Sequence, residues 1–285
     1  MISFLIINYN TPNHTFKAVS SIKKYLKIPY EIIIVDNGSN ISLKKQKFDS
    51  IECDIKIIKL NENKGFGVAN NLAYINSKGD YICLLNSDAY LIDKNTIKYM
   101  VDYLSKYNDV AMVGPNFIKE NGAQNYAYGN FLSVKKILID IGILKIKPEI
   151  YKRDLSTYLF CDFNKPTIVD YIGAAGVIIK KSVIEEIGLF DPSYFLYFED
   201  MDFGYRIKKA GYKSVILPNA TIVHLGGAST NKSRSSELNK KINNSKYIFL
   251  RKRYSIFLVV LLKGISLIKK IFYKLILTNV SKSKR

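Results

Sequence analysis

The chain has 285 residues, 48% of them hydrophobic, enough to bury a sizeable core in one large domain or one domain with an appendage. That content excludes a disordered protein, and three scattered cysteines, Cys53, Cys83 and Cys161, without a CxxC or Cys/His cluster exclude a disulfide framework and a structural zinc site. The net charge of +19 admits nucleic acid or an anionic membrane as partner, and its placement along the chain chooses between them.

The chain opens MISFLIINYN, an apolar run that turns polar at Asn8 with no basic leader or small-residue cleavage site. It reads as a first strand and not as a signal peptide, which fits a reducing cytoplasm. Strands are expected over residues 4–7, 31–35, 55–60 and 81–85, and helices over 14–25, 67–76 and 94–106. Alternation of this kind is the signature of an α/β domain with a largely parallel sheet flanked by helices. Three polar segments follow strand ends: NYNT from Asn8, DNGS from Asp36 and NSDA from Asn86. In open α/β sheets ligands bind outside the carboxyl ends of the strands, so these segments are expected around one crevice. No GxGxxG follows the first strand and no GxxxxGK[ST] occurs, so the phosphate loops of dinucleotide-binding and P-loop proteins are missing. NKGFG, residues 63–67, reads on its own as a turn.

Beyond Gly114 the pattern is less regular. Residues 122–129 and 145–166 read as loops and short helices, with strand-like runs at 176–179, 214–217 and 220–223. GAAG, from Gly173 through Ala174 and Ala175 to Gly176, fits a close crossing of strands. In FLYFEDMDFGYR, residues 195–206, the acids Glu199, Asp200 and Asp202 suit the positive end of a helix. Asp202 and Arg206 form an i,i+4 pair, Gly211 supplies a stop, and Met201, Tyr205 and Lys208 fall on one side. The aromatics Tyr194, Phe195, Tyr197 and Phe198 are expected to divide between core packing and a pocket wall. His224 ends a strand-like run before Gly226 and Gly227, where a lone histidine is as a rule a packed residue. The other histidine, His14, lies in the first helix.

Composition shifts near Thr230, so a domain is expected over 1–230 and a tail over 231–285. The tail holds fifteen Lys and Arg against one acid, Glu237, and so carries most of the excess charge. Its apolar run IFLVVLL, residues 256–262, is far short of the roughly 20 residues that span a bilayer. As a helix, Leu261, Ile265, Ile268, Phe272 and Leu275 form a stripe opposite Lys263, Ser266, Lys270 and Lys274. That pattern suits a helix lying in the interface of an anionic membrane; the alternative is a helix packed on the core with a solvated basic face. No nucleic-acid motif accompanies the charge, so no nucleic acid is expected.

Taken in order over residues 2–230, five features act together: Asp36 at a strand end, Asn63-Lys64-Gly65, the strand running into NSD, FEDMD, and ATIVHLGG. The set resembles the nucleotide-sugar glycosyltransferases of family 2, which have the GT-A fold. Within that family the likeness is to the rhamnosyltransferase-like members that build bacterial surface polysaccharides, and it extends loosely into residues 247–254. The resemblance implies Asp36 at the nucleotide base and Asn63, Lys64 and Gly65 at the nucleotide and diphosphate, with Asn8 and Asn86 also on the donor side. Asp88 matches the last acid of the family's DxD motif, and His224 would complete a site for Mg2+ or Mn2+. The first acid of DxD is here Asn86, which brings no charge. Asp200 matches the catalytic acid of the ED motif, the general base for the acceptor hydroxyl, with Glu199 supporting it. Gly173, Ala174, Ala175 and Gly176 match the small-residue segment on the acceptor side.

The function so implied is a metal-dependent inverting glycosyltransferase. It would move a sugar, rhamnose by likeness, from a nucleoside diphosphate sugar to a lipid-linked glycan acceptor. The expected location is cytoplasmic, peripheral on the inner face of the cell membrane, and the oligomeric state stays open with a homodimer as one option. Two rivals remain at this level. A sugar nucleotidyltransferase would show a glycine-rich basic loop after the first strand, unlike NYNTPNH. A catalytically silent, membrane-associated carbohydrate-binding or scaffold protein would tolerate loss of Asp88 and Asp200.

Overall fold

The computed structural model describes residues 1–41, 43, 48, 54–125, 127–140, 144, 164–226, 236–265, 267 and 268. The strands are β1 (Ile2–Asn8), β2 (Tyr30–Asn37), β3 (Ile55–Leu60), β4 (Tyr81–Leu85), β5 (Ala89–Leu91) and β6 (Val110–Ile118). They continue with β7 (Tyr128–Gly129), β8 (Thr167–Val169), β9 (Tyr171–Ile172), β10 (Gly176–Lys180) and β11 (Lys213–His224). Helices are α1 (Pro12–Tyr25), α2 (Phe66–Ile75), α3 (Thr96–Lys106), α4 (Val134–Asp140), α5 (Lys181–Ile187), α6 (Glu199–Lys209) and α7 (Ser236–Arg251).

One sheet carries the order β3-β2-β1-β4-β10-β6-β11-β5, with β8 alongside β11. The half built from β3, β2, β1 and β4 is all parallel, as the alternation of apolar runs and helices predicts. β1 is buried along its whole length and β2 along all but its first residue, which is why FLII and IIIV read as unbroken apolar runs and not as alternating ones. β10 then runs antiparallel to both β4 and β6, while β11 runs parallel to β6 and antiparallel to β5. Pro12 stands in the first turn of α1, where a missing N–H costs nothing, and Lys23 and Lys24 complement its last turn. Ala18, Val19 and Ile22 form its buried stripe.

Three differences from the sequence reading have physical causes. β11 is one strand of 12 residues and not two runs, because a register shift between Leu217 and Thr221 accommodates Pro218, which has no N–H to donate. β6 was hidden by Gly114 and Pro115 in its middle. Part of the expected loop at 122–129 is β7, which pairs with β9 in a second small sheet.

The C-terminal segment is partly core. Phe249, Leu250, Val259 and Leu262 are buried in one cluster with Leu132, Ile137, Tyr171, Tyr194 and Met201. Residues 256–265 are helical. On that stretch Ile256, Phe257, Val260 and Leu261 are exposed, followed by Leu267 and Ile268. Of the expected stripe and its basic face, Ser266, Lys270, Phe272, Lys274 and Leu275 lie outside the described residues, as do Cys53, Cys161, Gly227, Thr230 and residues 145–163. Cys83 is a buried free thiol. No helix among the described residues is long and apolar enough to cross a membrane.

Candidate active site

The carboxyl ends of β1 and β2 are bolted together side by side. Register places Asn8 opposite Asp36, and Asn8 Nδ2 donates to Asp36 Oδ1 and to Ser39 Oγ, each at 3.0 Å. Asn8 Oδ1 accepts from Thr15 at 2.9 Å and from Thr11 at 3.3 Å, and Thr11 in turn meets Ser87 Oγ at 2.9 Å. Asn8 is fully buried, so its side chain fixes Asp36 and links the NYNT, DNGS and NSDA segments to each other.

Asn37, next to Asp36, builds the NKG turn. Its Nδ2 donates to Asn63 Oδ1 at 3.0 Å and to the Gly65 carbonyl at 3.3 Å, while its Oδ1 accepts from the Lys64 amide at 3.0 Å. Asn63 Oδ1 also takes the Gly65 amide at 2.9 Å. Gly38 has a φ of 71°, and a Cβ there would lie 2.3 Å from the Glu62 carbonyl carbon, so only glycine lets the two loops touch. Lys64 Nζ pairs with Glu62. The turn also meets the acidic segment, because the Phe66 amide donates to the Phe195 carbonyl at 2.9 Å.

Asp88 and His224 are brought together by strand register. His224 pairs with Ala89 where β11 runs antiparallel to β5, and the Leu225 amide donates to the Asp88 carbonyl at 3.1 Å. His224 Nε2 lies 3.4 Å from Asp88 Oδ1 and 3.4 Å from Asn86 Nδ2. Asn125 holds the other side of the histidine, donating to its carbonyl at 2.7 Å with Nδ1 3.4 Å away. A carboxylate and an imidazole side by side are a donor set that fits a divalent cation. Among the described residues no group of three His, Cys, Asp or Glu could hold a metal alone, so further positions would fall to donor oxygens or water.

Glu199 and Asp200 begin α6 immediately after two left-handed residues, Tyr197 at φ 62° and Phe198 at φ 72°. Such backbone costs about 1 to 3 kcal/mol per residue and persists where the surroundings dictate it. Asp200 Oδ1 accepts the Met201 amide at 2.7 Å. Burial pushes Asp200 up to about 6, against the opposing pull of backbone amides. Burial, with the charge of Asp200 second, pushes Glu199 up to about 8, and Glu199 Oε2 is buried without a partner. Asp202 pairs with Arg206 at 2.9 Å, as the i,i+4 spacing predicts. Of the three residues expected on one side of this helix, Met201 is buried while Tyr205 and Lys208 are exposed.

Gly173 borders Asp200: a Cβ on it would lie 3.4 Å from Asp200 Oδ2, and its amide donates to the Ala127 carbonyl at 2.5 Å. Asn125 and Ala127, two residues apart, thus touch His224 on one hand and the neighbour of Asp200 on the other. Ala174 and Ala175 are buried, and Gly176 faces Ile222 inside the sheet, opposite Leu85 just before Asn86. Among the aromatics, Tyr194 is fully buried, Phe198 meets Phe249 in a tilted contact at 5.9 Å between ring centres, and Tyr197 is exposed. His14 belongs to α1, away from this constellation. Asn37 was legible as part of DNGS but carried no role; Asn125 stood in an apparent loop with no signal.

Residues 3–188 match the family described as glycosyl transferase family 2. Over 87% of its length the chain is 23% identical to the N-acetylglucosaminyl-diphospho-decaprenol L-rhamnosyltransferase of Mycobacterium tuberculosis, spanning 83% of that protein. It is 26% identical to the O-antigen chain rhamnosyltransferase RfbN of Salmonella typhimurium, with 78% of this chain and 66% of that one covered. Among solved structures, GalNAc-T7 with UDP, GalNAc and Mn2+ superposes with a TM-score of 0.60 at 19% identity, covering 88% of this chain and 49%, about half, of that one. A mannosyltransferase of Pyrobaculum calidifontis with GDP-Man and Mn2+ gives a TM-score of 0.57 at 13% identity, covering 88% of this chain and 63% of that one. At these identities the superpositions establish the GT-A fold.

Proposed function

The chain belongs to glycosyl transferase family 2 as a nucleotide-sugar-dependent, rhamnosyltransferase-like glycosyltransferase, and we propose that it is a metal-dependent inverting enzyme with Asp200 as its general base. The observation that carries this reading is the adjacency of two acidic centres across one short stretch of chain. Asn125 touches the Asp88–His224 corner and Ala127 holds Gly173 against Asp200. A donor diphosphate at the first centre would place its sugar toward the second.

On the donor side, Asp36 would meet the base, held by Asn8, and the Asn63-Lys64-Gly65 turn, whose amides donate to Asn37 and Asn63, would flank the nucleotide and diphosphate. Asp88 and His224 would hold Mg2+ or Mn2+, with Asn86 beside them, and the cation would neutralise charge on the departing diphosphate. Asp200 takes the proton from the acceptor hydroxyl as that oxygen bonds to the anomeric carbon and the bond to the diphosphate breaks. Attack from the face opposite the leaving group inverts the anomeric centre. A pKa raised toward neutrality makes Asp200 a stronger base than an ordinary carboxylate while leaving it ionised at neutral pH. Gly173 and the alanines after it leave room for the acceptor.

The acceptor is a lipid-linked glycan, a reading supported by the decaprenol in the name of the mycobacterial relative. The enzyme works at the inner face of the cell membrane, peripherally bound through its basic C-terminal tail, residues 231–285, while residues 1–230 form the catalytic domain. Exposed Ile256, Phe257, Val260 and Leu261 beside that charge support interfacial binding.

A panel of nucleoside diphosphate sugars, titrated with and without Mg2+ or Mn2+ into wild type and Asp88→Ala, tests this assignment. Metal-enhanced binding of one donor, lost by at least tenfold in the variant, is expected. Binding that ignores both the metal and Asp88 would reject the metal corner.

A further inference from the structure

The turn that presents Asp200 is gripped by the first part of the C-terminal segment, the end of α7 and the residues after it. Arg253, its side chain 8% exposed, donates from Nη2 to Asp202 Oδ1 at 3.1 Å and from Nη1 to the Phe249 carbonyl at 3.0 Å. Its guanidinium lies 3.6 Å from the centre of the Phe249 ring and 4.1 Å from that of Tyr205. Asp202 is the relay: 4% exposed, it also accepts from Arg206 Nε at 2.9 Å and from the Tyr194 hydroxyl at 3.2 Å. Beside this pair the Phe249 ring packs at a tilt against Phe198, and Lys252 pairs with Asp191 and lies 4.9 Å from the Tyr194 ring centre. Three side chains within residues 249–253 therefore hold residues 191–202 at four points.

That grip falls on the strained part of the backbone. Tyr197 and Phe198 are both left-handed without being glycine, a conformation that relaxes unless its surroundings over-determine it. Arg206 anchors α6 to the carbonyls of Ile187, Gly188 and Leu189 but belongs to the same helix, and the turn before it is otherwise held by backbone bonds, Phe66 to the Phe195 carbonyl at 2.9 Å and Asp202 to the Phe198 carbonyl at 2.8 Å. Arg253 reaches Asp202 from a separate element with a planar, permanently charged group.

We propose that Arg253 is a positioning residue for transfer: through Asp202 it locks the left-handed turn at Tyr197 and Phe198 that aims Asp200 at Gly173, so that turnover depends on the C-terminal segment. This rests on Asp200 being the base. The test compares full-length wild type, Arg253→Lys and Arg253→Met by amide hydrogen exchange, by donor affinity and by kcat at a temperature well below every melting midpoint. Arg253→Met should exchange the amides of residues 195–202 at least tenfold faster while β1 and β2 stay protected. Its kcat should fall tenfold or more with donor Kd within twofold, and Arg253→Lys should recover part of both. Unchanged exchange over 195–202, or acceleration spread evenly over the chain, would overturn the proposal, as would an unchanged kcat. If wild type transfers no sugar, that failure belongs to the proposed function, and the exchange pattern still decides whether Arg253 locks the turn.

Discussion

Glu199 and Asp200 are neighbours with different environments, and their titration has consequences for both stability and rate. Burial raises both, Asp200 to about 6 and Glu199 to about 8, above the ordinary carboxylate values an unfolded chain would show. Between those limits the folded chain binds more protons than the unfolded one, so stability falls as pH rises from about 4 to 8. Glu199→Gln removes one of the two ionisations. Its thermal midpoint should exceed that of wild type at pH 8, and the gap should close near pH 5. A gap that does not vary with pH would mean that Glu199 is ionised in the folded state. Turnover should decline below about pH 6 as Asp200 takes up a proton. The identity of both acids was legible in FEDMD, but not their difference, which burial of Glu199 beside Gly67 creates.

At the scale of elements, helix periodicity and apolar runs located β1 to β4 and α1 to α3 within a few residues at each end. What the sequence hid were contacts made by register. Nothing local brings Asp88 to His224, 136 positions apart; the antiparallel pairing of β5 with β11 does. Arg253 was likewise lost in a run of basic residues whose charge pointed to a membrane, although its guanidinium is buried against Asp202. Asp202 would keep Arg206, but the second cluster would lose Phe249, Leu250, Val259 and Leu262, so truncation at residue 246 would damage the core along with any membrane contact. The helix at 256–265 has to be tested by point changes on its exposed side. Phe257→Glu with Val260→Glu, at positions 78% and 61% exposed, should leave the fold intact and abolish sedimentation with anionic liposomes. Undiminished binding by this double variant would place the membrane contact elsewhere or nowhere.

For the molecule as a whole, the sheet acts as a jig. Parallel β1, β2 and β4 deliver Asn8, Asp36 and the NSD turn to one edge, β11, running the same way, brings His224 to it, and antiparallel β10 starts there with GAAG. The second cluster then seats the C-terminal segment against Met201 beside Asp200. This assembly makes one claim above the others, that Asp200 removes the acceptor proton. The most direct measurement is kcat for sugar transfer by Asp200→Asn against wild type, with donor affinity and melting midpoint measured on the same samples. A loss of about 100-fold to 10,000-fold in kcat, with donor Kd and fold unchanged, is the predicted result. Transfer at close to the wild-type rate would contradict it and return the carboxylates of FEDMD to a purely structural role at the start of α6.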